Sequence, residues 1–128
     1  MTAVIDAAAA MALMLGERGA EMVAGVIKGS SMTAINVSEC CSRGVERGAS
    51  VEAVLSILRR YEVQVVAFDL EMALEAARLR ESSRSAGAGI GDRACLALAR
   101  RRSLPLYTAD KRLSDIADAV GVDVRQIR

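Results

Sequence analysis

The sequence predicts an α/β domain with a largely parallel sheet. Short apolar runs, several rich in β-branched residues, alternate with longer segments rich in Ala, Leu, Met and charged residues, which is typical of strands alternating with helices. The 128 residues suffice for one domain with its own core. A hydrophobic content of 52% against 26% charged residues is that of a globular chain. We therefore expect a single domain over residues 1–128.

Five short runs have the composition of buried strands, and Val63–Ala67 is the most β-prone of them. In chain order the predicted strands are Ala3–Ile5, Met32–Ile35, Val63–Ala67, Pro105–Thr108 and, at an edge of the sheet, Val122–Ile127. Ligand sites of parallel α/β sheets lie beyond the carboxyl ends of the strands. The residues that directly follow these runs are therefore the first candidates for a functional site.

The segments between the strands predict helices, because they combine strong helix formers with apolar residues at helical spacing. Asn36, Ser50 and Asp69 stand where N-caps are expected. The predicted helices are Ala7–Leu15, Glu17–Ile27, Asn36–Gly48, Val51–Tyr61, Asp69–Arg84, Asp92–Arg102 and Lys111–Ala119. Nearly every residue of the helix after Asp92 is small or apolar, so we expect this helix to be buried on more than one face.

Composition excludes several classes of function. The net charge of +1 does not favour a protein held to nucleic acid by bulk charge. The chain has no His and only three Cys without a Cys-x-x-Cys spacing, which argues against zinc sites and His-based acid–base chemistry. The apolar run Ala7–Leu15 is too short to span a membrane and lacks the basic start of a signal peptide. We expect a cytoplasmic protein without membrane association, whose cysteines are reduced core residues.

Four acidic residues are predicted to meet at one edge of the sheet. Asp6 and Asp110 follow predicted strands, Glu39 lies just beyond a third, and Asp92 begins the helix that leads into the fourth. Each acid also has a purely structural explanation. Three of them can stabilise helix N-termini, and Glu39 can complete a capping box with Asn36.

The joint position of the four acids favours a metal site. Two carboxylates about 4 Å apart repel by roughly 4 kcal/mol at an effective dielectric constant near 20, so stability alone does not favour gathering four. A divalent cation removes this cost, and oxygen ligands without His or Cys suit Mg²⁺ or Mn²⁺. Such an ion polarises a phosphoryl oxygen and activates water. The pattern indicates phosphodiester hydrolysis, and the missing Gly-x-x-x-x-Gly-Lys-Ser/Thr loop excludes a P-loop nucleotidase.

Four short motifs in this sequence resemble the PIN domain family and, within it, the VapC toxins of bacterial type II toxin–antitoxin systems. The motifs are Val4-Ile5-Asp6-Ala7, Asn36-Val37-Ser38-Glu39, Gly91-Asp92-Arg93-Ala94-Cys95-Leu96-Ala97 and Thr108-Ala109-Asp110. They cover essentially the whole chain in the order and at the spacing of the family. The sequence departs from the pattern at Ala8, where many relatives carry Ser, and we expect weaker activity if that hydroxyl orders water.

The resemblance implies a three-layer α/β/α fold whose parallel sheet has the strand order 3-2-1-4-5. It implies a Mg²⁺- or Mn²⁺-dependent endoribonuclease, a hydrolase that cuts structured RNA such as tRNA or rRNA. It further implies inhibition by a cognate antitoxin and a homodimer. By matched motif, the metal ligands and catalytic residues are Asp6, Glu39, Asp92 and Asp110, and Thr108 is a polar neighbour of the site.

Basic residues near these motifs have two explanations each. Lys111 and Arg112 flank Asp110 and are candidate contacts to RNA phosphates. Arg93 either pairs with a carboxylate or approaches a phosphate. The run of three arginines at 100–102 either interacts with a helix dipole or contacts the RNA backbone.

One alternative function stays open at this stage. A non-catalytic PIN-like module would bind RNA or protein, and its acids would act structurally or at most hold a metal. Loss of function in Asp92→Asn with the fold intact would favour the nuclease.

Overall fold

A five-stranded parallel sheet forms the centre of the computed structural model, which describes residues 3–128. Its strands are β1 Val4–Ile5, β2 Ser31–Thr33, β3 Gln64–Val66, β4 Leu106–Thr108 and β5 Val124–Gln126. Their spatial order is β3-β2-β1-β4-β5, and each neighbouring pair is parallel. The predicted α/β class and the strand order implied by the resemblance are both confirmed.

Helices cover both faces of this sheet. They are α1 Ala7–Leu15, α2 Ala20–Val26, α3 Ala34–Glu46, α4 Val51–Arg60, α5 Leu70–Arg78, α6 Arg80–Ser83, α7 Ile90–Arg102, α8 Lys111–Asp115 and α9 Ala117–Val120, with a 3₁₀ turn at Arg84–Ala86. Ile5 and Tyr107 pack into a core with α1–α4, whereas Val4 and Leu106 pack with α5 and α7–α9. The alternation along β1 and β4 thus separates two helical layers, which confirms the three-layer fold. None of the helices in residues 3–128 is long and apolar enough to cross a membrane.

Helix α7 is the most deeply packed helix of its layer. All six residues from Ala94 to Ala99 are buried, and the helix contacts β1, β2 and β4 as well as α3 and α5. The predicted burial on more than one face is confirmed. The helix begins two residues earlier than predicted, at Ile90, because the amide of Gly89 donates to Asp92 Oδ2 at 3.3 Å and fixes the first turn.

The N-terminus of α3 differs from the prediction, and the capping box assigned to Asn36 and Glu39 was wrong. Strand β2 ends at Thr33 rather than Ile35, and the Thr33 hydroxyl accepts a hydrogen bond from the Asn36 amide at 3.1 Å. Thr33 is therefore the N-cap. Helix α3 begins at Ala34, two residues before the predicted cap, which places Asn36 in its first turn and Glu39 in its second.

The predicted helix Asp69–Arg84 is interrupted after Arg78. Ser83 Oγ donates to the carbonyl of Leu79 at 2.6 Å, and the Ser83 amide donates to the same carbonyl at 3.0 Å. The chain continues as the short α6 and the 3₁₀ turn, which ends at Gly87 with φ = +63°. This irregular path brings the 3₁₀ turn toward α8.

Smaller differences concern the ends of other elements. The predicted helix Lys111–Ala119 is divided because the backbone of Ile116 leaves the helical conformation while its side chain is buried. The helix predicted from Glu17 begins at Ala20. At the sheet edge, only Val124–Gln126 of the last predicted strand pair with β4.

Two helical glycines provide a test of the packing between α3 and α4. A Cβ on Gly44 would lie 2.5 Å from Val54 Cγ2, whereas a Cβ on the exposed Gly25 would meet nothing within 4 Å. We expect Gly44→Ala to lower the free energy of unfolding by about 1–2 kcal/mol through overpacking, and Gly25→Ala to raise it by up to about 1 kcal/mol through helix propensity. Urea unfolding of both variants measures the difference, and equal stabilisation by both would contradict the packing described.

Candidate functional site

The candidate site lies where the carboxyl ends of β1 and β4 are neighbours at the centre of the sheet. The chain leaves β1 toward β2 on one side, and it leaves β4 toward β5 on the other. Such a topological switch point opens a crevice beyond the strand ends. Asp6 directly follows β1, and Asp110 follows β4 by two residues.

Asp6 is buried, with 5% of its surface exposed. Its Oδ1 accepts a hydrogen bond from the Ala9 amide at 2.8 Å and thereby caps α1. Burial raises the pKa of Asp6 to about 6, while hydrogen bonds from Thr108 and Ala9 act in the opposite direction. The neighbouring charges that act on this pKa are those of Asp92 and Glu39, both negative. The ionised carboxylate is thus stabilised by two hydrogen bonds, while the neighbouring charges that act on it are negative.

Thr108 links the ends of two strands. It is fully buried at the end of β4. Its hydroxyl forms a hydrogen bond with the Asp6 carboxylate and accepts one from the Asp110 amide at 3.0 Å. From β5, Gln126 Nε2 donates to the Asp110 carbonyl at 2.8 Å. Thr108 therefore fixes Asp6 relative to the chain that carries Asp110.

Asn36 is a central residue of the site to which the sequence assigned only a cap. Its side chain is buried and joins three elements. Oδ1 accepts from the Ala7 amide at 3.0 Å, and Nδ2 donates to Thr33 Oγ1 at 2.8 Å and to the Gly91 carbonyl at 3.2 Å. The sequence feature that could have indicated this role is the position of Asn36 three residues before Glu39 in the same motif.

Glu39 reaches the site from α3 and lies against the first turn of α7. A Cβ on Gly91 would collide with Glu39 Oε1 and would lie 3.0 Å from its Cδ. The absence of a side chain at this position therefore makes room for the carboxylate. Burial raises the pKa of Glu39, the charge of Asp92 raises it further, and Arg43 lowers it. The side chain makes no hydrogen bond or ion pair within residues 3–128.

One arginine binds Asp110 and approaches Asp92. Arg112 Nε lies 3.0 and 3.1 Å from the two carboxylate oxygens of Asp110, and its Nη2 also donates to Asp110 Oδ2. The same Nη2 is 3.6 Å from Asp92 Oδ2. These bonds lower the pKa of Asp110, whereas burial, with a contribution from Asp110, raises the pKa of Asp92.

The four predicted acids share one electrostatic neighbourhood. The charge of Asp92 raises the pKa of both Asp6 and Glu39, and that of Asp110 raises the pKa of Asp92. Across residues 3–128, no three Cys, Asp or Glu side chains are close enough to hold one metal ion. Three of the acids also accept hydrogen bonds at helix N-termini, so the structural explanation applies to them as well.

The predicted RNA contacts are engaged within the protein. Arg93 donates to the carbonyls of Ala88 and Ala76 at 3.3 and 3.1 Å. Lys111 Nζ donates to the carbonyl of Arg128 at 2.6 Å. In the arginine run 100–102, Arg101 forms ion pairs with two glutamates of α5. Their role toward RNA stays a prediction.

A family model for the PIN domain matches residues 3–119. The chain belongs to the PIN domain family. This PIN domain resembles a toxin–antitoxin complex from Klebsiella pneumoniae with a TM-score of 0.78 at 17% identity, covering 99% of this chain and 98% of that one. It resembles DNA-bound VapBC from Salmonella typhimurium with a TM-score of 0.71 at 16% identity over the full length of both chains.

A third solved structure is VapBC2 from Rickettsia felis bound to a fragment of promoter DNA, with a TM-score of 0.70, 15% identity and 98% coverage of each chain. At these identities the likeness establishes the fold alone. A comparison of the PIN domain with curated protein sequences gave no match. The membership confirms the family expected from the four motifs.

The buried Asp6 predicts a specific dependence of stability on pH. Because the folded pKa of about 6 exceeds the ordinary value of 3.8, the folded state binds the proton more tightly. The free energy of unfolding therefore falls as the pH rises from about 4 to about 6, by up to about 1.4 kcal/mol per pH unit for one group. Asp6→Asn keeps the cap and removes the charge, so the difference between the wild type and this variant should change across that range and be constant above it.

Urea unfolding in EDTA at several pH values measures this difference. Asp118→Asn removes an exposed carboxylate of α9 and is the control for the loss of one negative charge. A constant difference between the wild type and Asp6→Asn across this pH range would contradict the raised pKa of Asp6.

Proposed function

We propose that this PIN domain is a Mg²⁺- or Mn²⁺-dependent endoribonuclease and the toxin of a toxin–antitoxin pair. The observation that carries the proposal is the Asp6 carboxylate, buried at the switch point of the sheet, where the charges acting on its pKa are those of Asp92 and Glu39. A buried carboxylate with like-charged neighbours disfavours the folded state unless a cation compensates it. A ligand that binds carboxylates explains why Asp6, Glu39 and Asp92 lie around one crevice despite this cost.

The donor set fits a hard divalent cation. All four candidate ligands are carboxylates, and His is absent from the chain, which suits Mg²⁺ or Mn²⁺ rather than Zn²⁺. Two of them, Asp92 and Asp110, already lie beside one positive group, the Arg112 guanidinium. When bound, a divalent cation supplies a Lewis acid that polarises a phosphoryl oxygen and acidifies a water molecule.

The surrounding residues prepare the carboxylates for this role. Thr108 and the Ala9 amide fix the rotamer of Asp6, so little conformational freedom is lost on binding. Asn36 holds the start of α7 against the ends of β1 and β2. Gly91 leaves the space that the Glu39 carboxylate occupies. We propose that binding of a cation brings oxygens of the other acids toward the fixed carboxylate of Asp6.

The proposed protein partners follow from the family and from an exposed surface. Chains of the same fold belong to toxin–antitoxin complexes, and we propose a cognate antitoxin and a second copy of the chain as partners here. An apolar groove between α3 and α4 is lined by Val37, Cys41, Val45 and Val51. Val45 and Val51 are about half exposed, and we propose that one of these partners covers this groove.

Cleavage of total RNA by the purified protein tests the nuclease. With Mn²⁺ we expect discrete products, and with EDTA none. Asp92→Asn should reduce cleavage more than about a hundredfold, because it removes a charge at the site. The variant should fold as well as the wild type, since an Asn oxygen can still accept the bond from the Gly89 amide and the repulsion from Asp110 is relieved.

The matched control is again Asp118→Asn, which removes an exposed carboxylate of α9 and should cleave as the wild type does. Cleavage that persists in EDTA or in Asp92→Asn would exclude the proposed chemistry. A folded protein, free of antitoxin, that cleaves nothing in any lane would favour the non-catalytic module. Ala8→Ser would then be the first substitution to test for a gain of cleavage.

Gly91→Ala tests whether the position of the Glu39 carboxylate matters for metal binding, with little effect on the stability of the fold. The added Cβ would displace the flexible Glu39 carboxylate, while Ala in the first turn of α7 is at least as good a helix former as Gly. We expect a change of less than about 1 kcal/mol in the free energy of unfolding and a clear loss of Mn²⁺ affinity in calorimetric titration. Unchanged Mn²⁺ affinity would show that Glu39 is not a ligand.

A further inference from the structure

We propose that the Arg112 guanidinium is a built-in competitor of the divalent cation, because it occupies the carboxylates of Asp110 and Asp92 until the ion displaces it. The inference rests on the proposed metal-dependent function. It assigns Arg112 a role that differs from the contact to RNA expected from its position in the sequence.

The geometry engages the oxygens that a cation would need. Arg112 reaches both carboxylate oxygens of Asp110 through Nε and Nη2. It also brings Nη2 within 3.6 Å of Asp92 Oδ2. A guanidinium that binds a carboxylate through two nitrogens is among the stronger charge-assisted contacts. Asp110 is thereby held toward Arg112.

A third contact holds the guanidinium over the site. Arg112 Nη1 donates to the carbonyl of Ala86 at 2.9 Å, at the end of the 3₁₀ turn. The following Gly87 has φ = +63°, a left-handed backbone conformation that favours glycine. The interruption of the predicted helix Asp69–Arg84 thus has a consequence at the site, because it presents a backbone acceptor to Arg112.

Competition follows from charge and from exposure. A guanidinium and a divalent cation repel each other, and both need the same carboxylate oxygens. The Arg112 side chain is 54% exposed, so it can leave into solvent at a modest cost, as exposed ion pairs do. Removal of the guanidinium should therefore strengthen cation binding, whereas a residue that merely supported the fold would weaken or not affect it.

The chain contains a matched control for this arginine. Arg125 binds Asp123, also two residues away, through Nε and Nη2, and its side chain is 50% exposed. This pair lies at the opposite end of the sheet, because Asp123 precedes β5 whereas Asp110 follows β4. Arg125→Gln makes the same change of charge away from the four acids.

The experiment is calorimetric titration of the metal-stripped protein with MnCl₂, without RNA, for the wild type, Arg112→Gln, Arg112→Lys, Arg125→Gln and Asp92→Asn. We expect Arg112→Gln to bind Mn²⁺ at least about fivefold more tightly than the wild type. Arg112→Lys keeps the charge without the planar fork and should lie between the two. Arg125→Gln should bind as the wild type does. Unfolding midpoints in EDTA establish that each variant is folded.

The outcomes distinguish this inference from the proposed function. If the wild type binds Mn²⁺, Asp92→Asn does not, and Arg112→Gln binds equally or more weakly, the metal site stands and the competition is overturned. Binding by Arg112→Gln alone would support the competition in its strongest form. If neither the wild type nor Arg112→Gln binds, both proposals fail. A gain in affinity in this titration, combined with no cleavage in the separate assay of total RNA, would uphold the competition and reject the nuclease.

Discussion

The burial of one carboxylate, that of Asp6, is the constraint on which the rest of the site depends. Strand β1 has only two residues, lies in the middle of the sheet and is covered by helices on both faces. The residue after it is therefore inside the protein. An ionised group there requires hydrogen-bond donors, and Thr108 and the Ala9 amide supply them. The bond from Thr108 connects the end of β1 to the end of β4, and the bond from Ala9 caps α1. The hydrogen bonds that stabilise the Asp6 charge therefore also hold the two strand ends together.

Small side chains make this arrangement possible. Aromatic residues form only 2% of the chain, and the buried part of α7 consists of Ala, Cys and Leu. A helix with such a surface packs closely on three strands, and its N-terminus is brought against α3. The missing side chain of Gly91 then decides whether Glu39 fits beside α7. Small side chains bury little area per residue, but they allow α7 and α3 to approach each other closely at the site.

The structural and the functional explanations of the acids are not alternatives in this molecule. Asp6, Asp92 and Asp110 each accept a backbone hydrogen bond at a helix N-terminus, and the remaining oxygen of each carboxylate is directed by that bond. Asp92 and Asp110 share one arginine but differ in pKa. The guanidinium binds Asp110 directly and lowers its pKa, while Asp92 lies farther from the guanidinium and its pKa is raised, chiefly by desolvation. Helix capping therefore sets the orientation of the carboxylates, and Arg112 contributes to the difference between the pKa values of Asp110 and Asp92.

The sequence by itself determined the α/β class, the approximate place of all five strands and the four motifs that identify the family. These features are carried by local composition and by spacing along the chain, which are readable without contacts. Only the tertiary structure decided where helices were capped or interrupted. Thr33 rather than Asn36 caps α3, because the Thr33 hydroxyl accepts the hydrogen bond from the Asn36 amide, and the helix predicted from Asp69 is interrupted after Arg78. The tertiary structure also decided what each polar side chain binds. Asn36 and Arg112 join elements that are distant in sequence. The partners of such long-range contacts cannot be identified from the residues next to Asn36 or Arg112 in the chain.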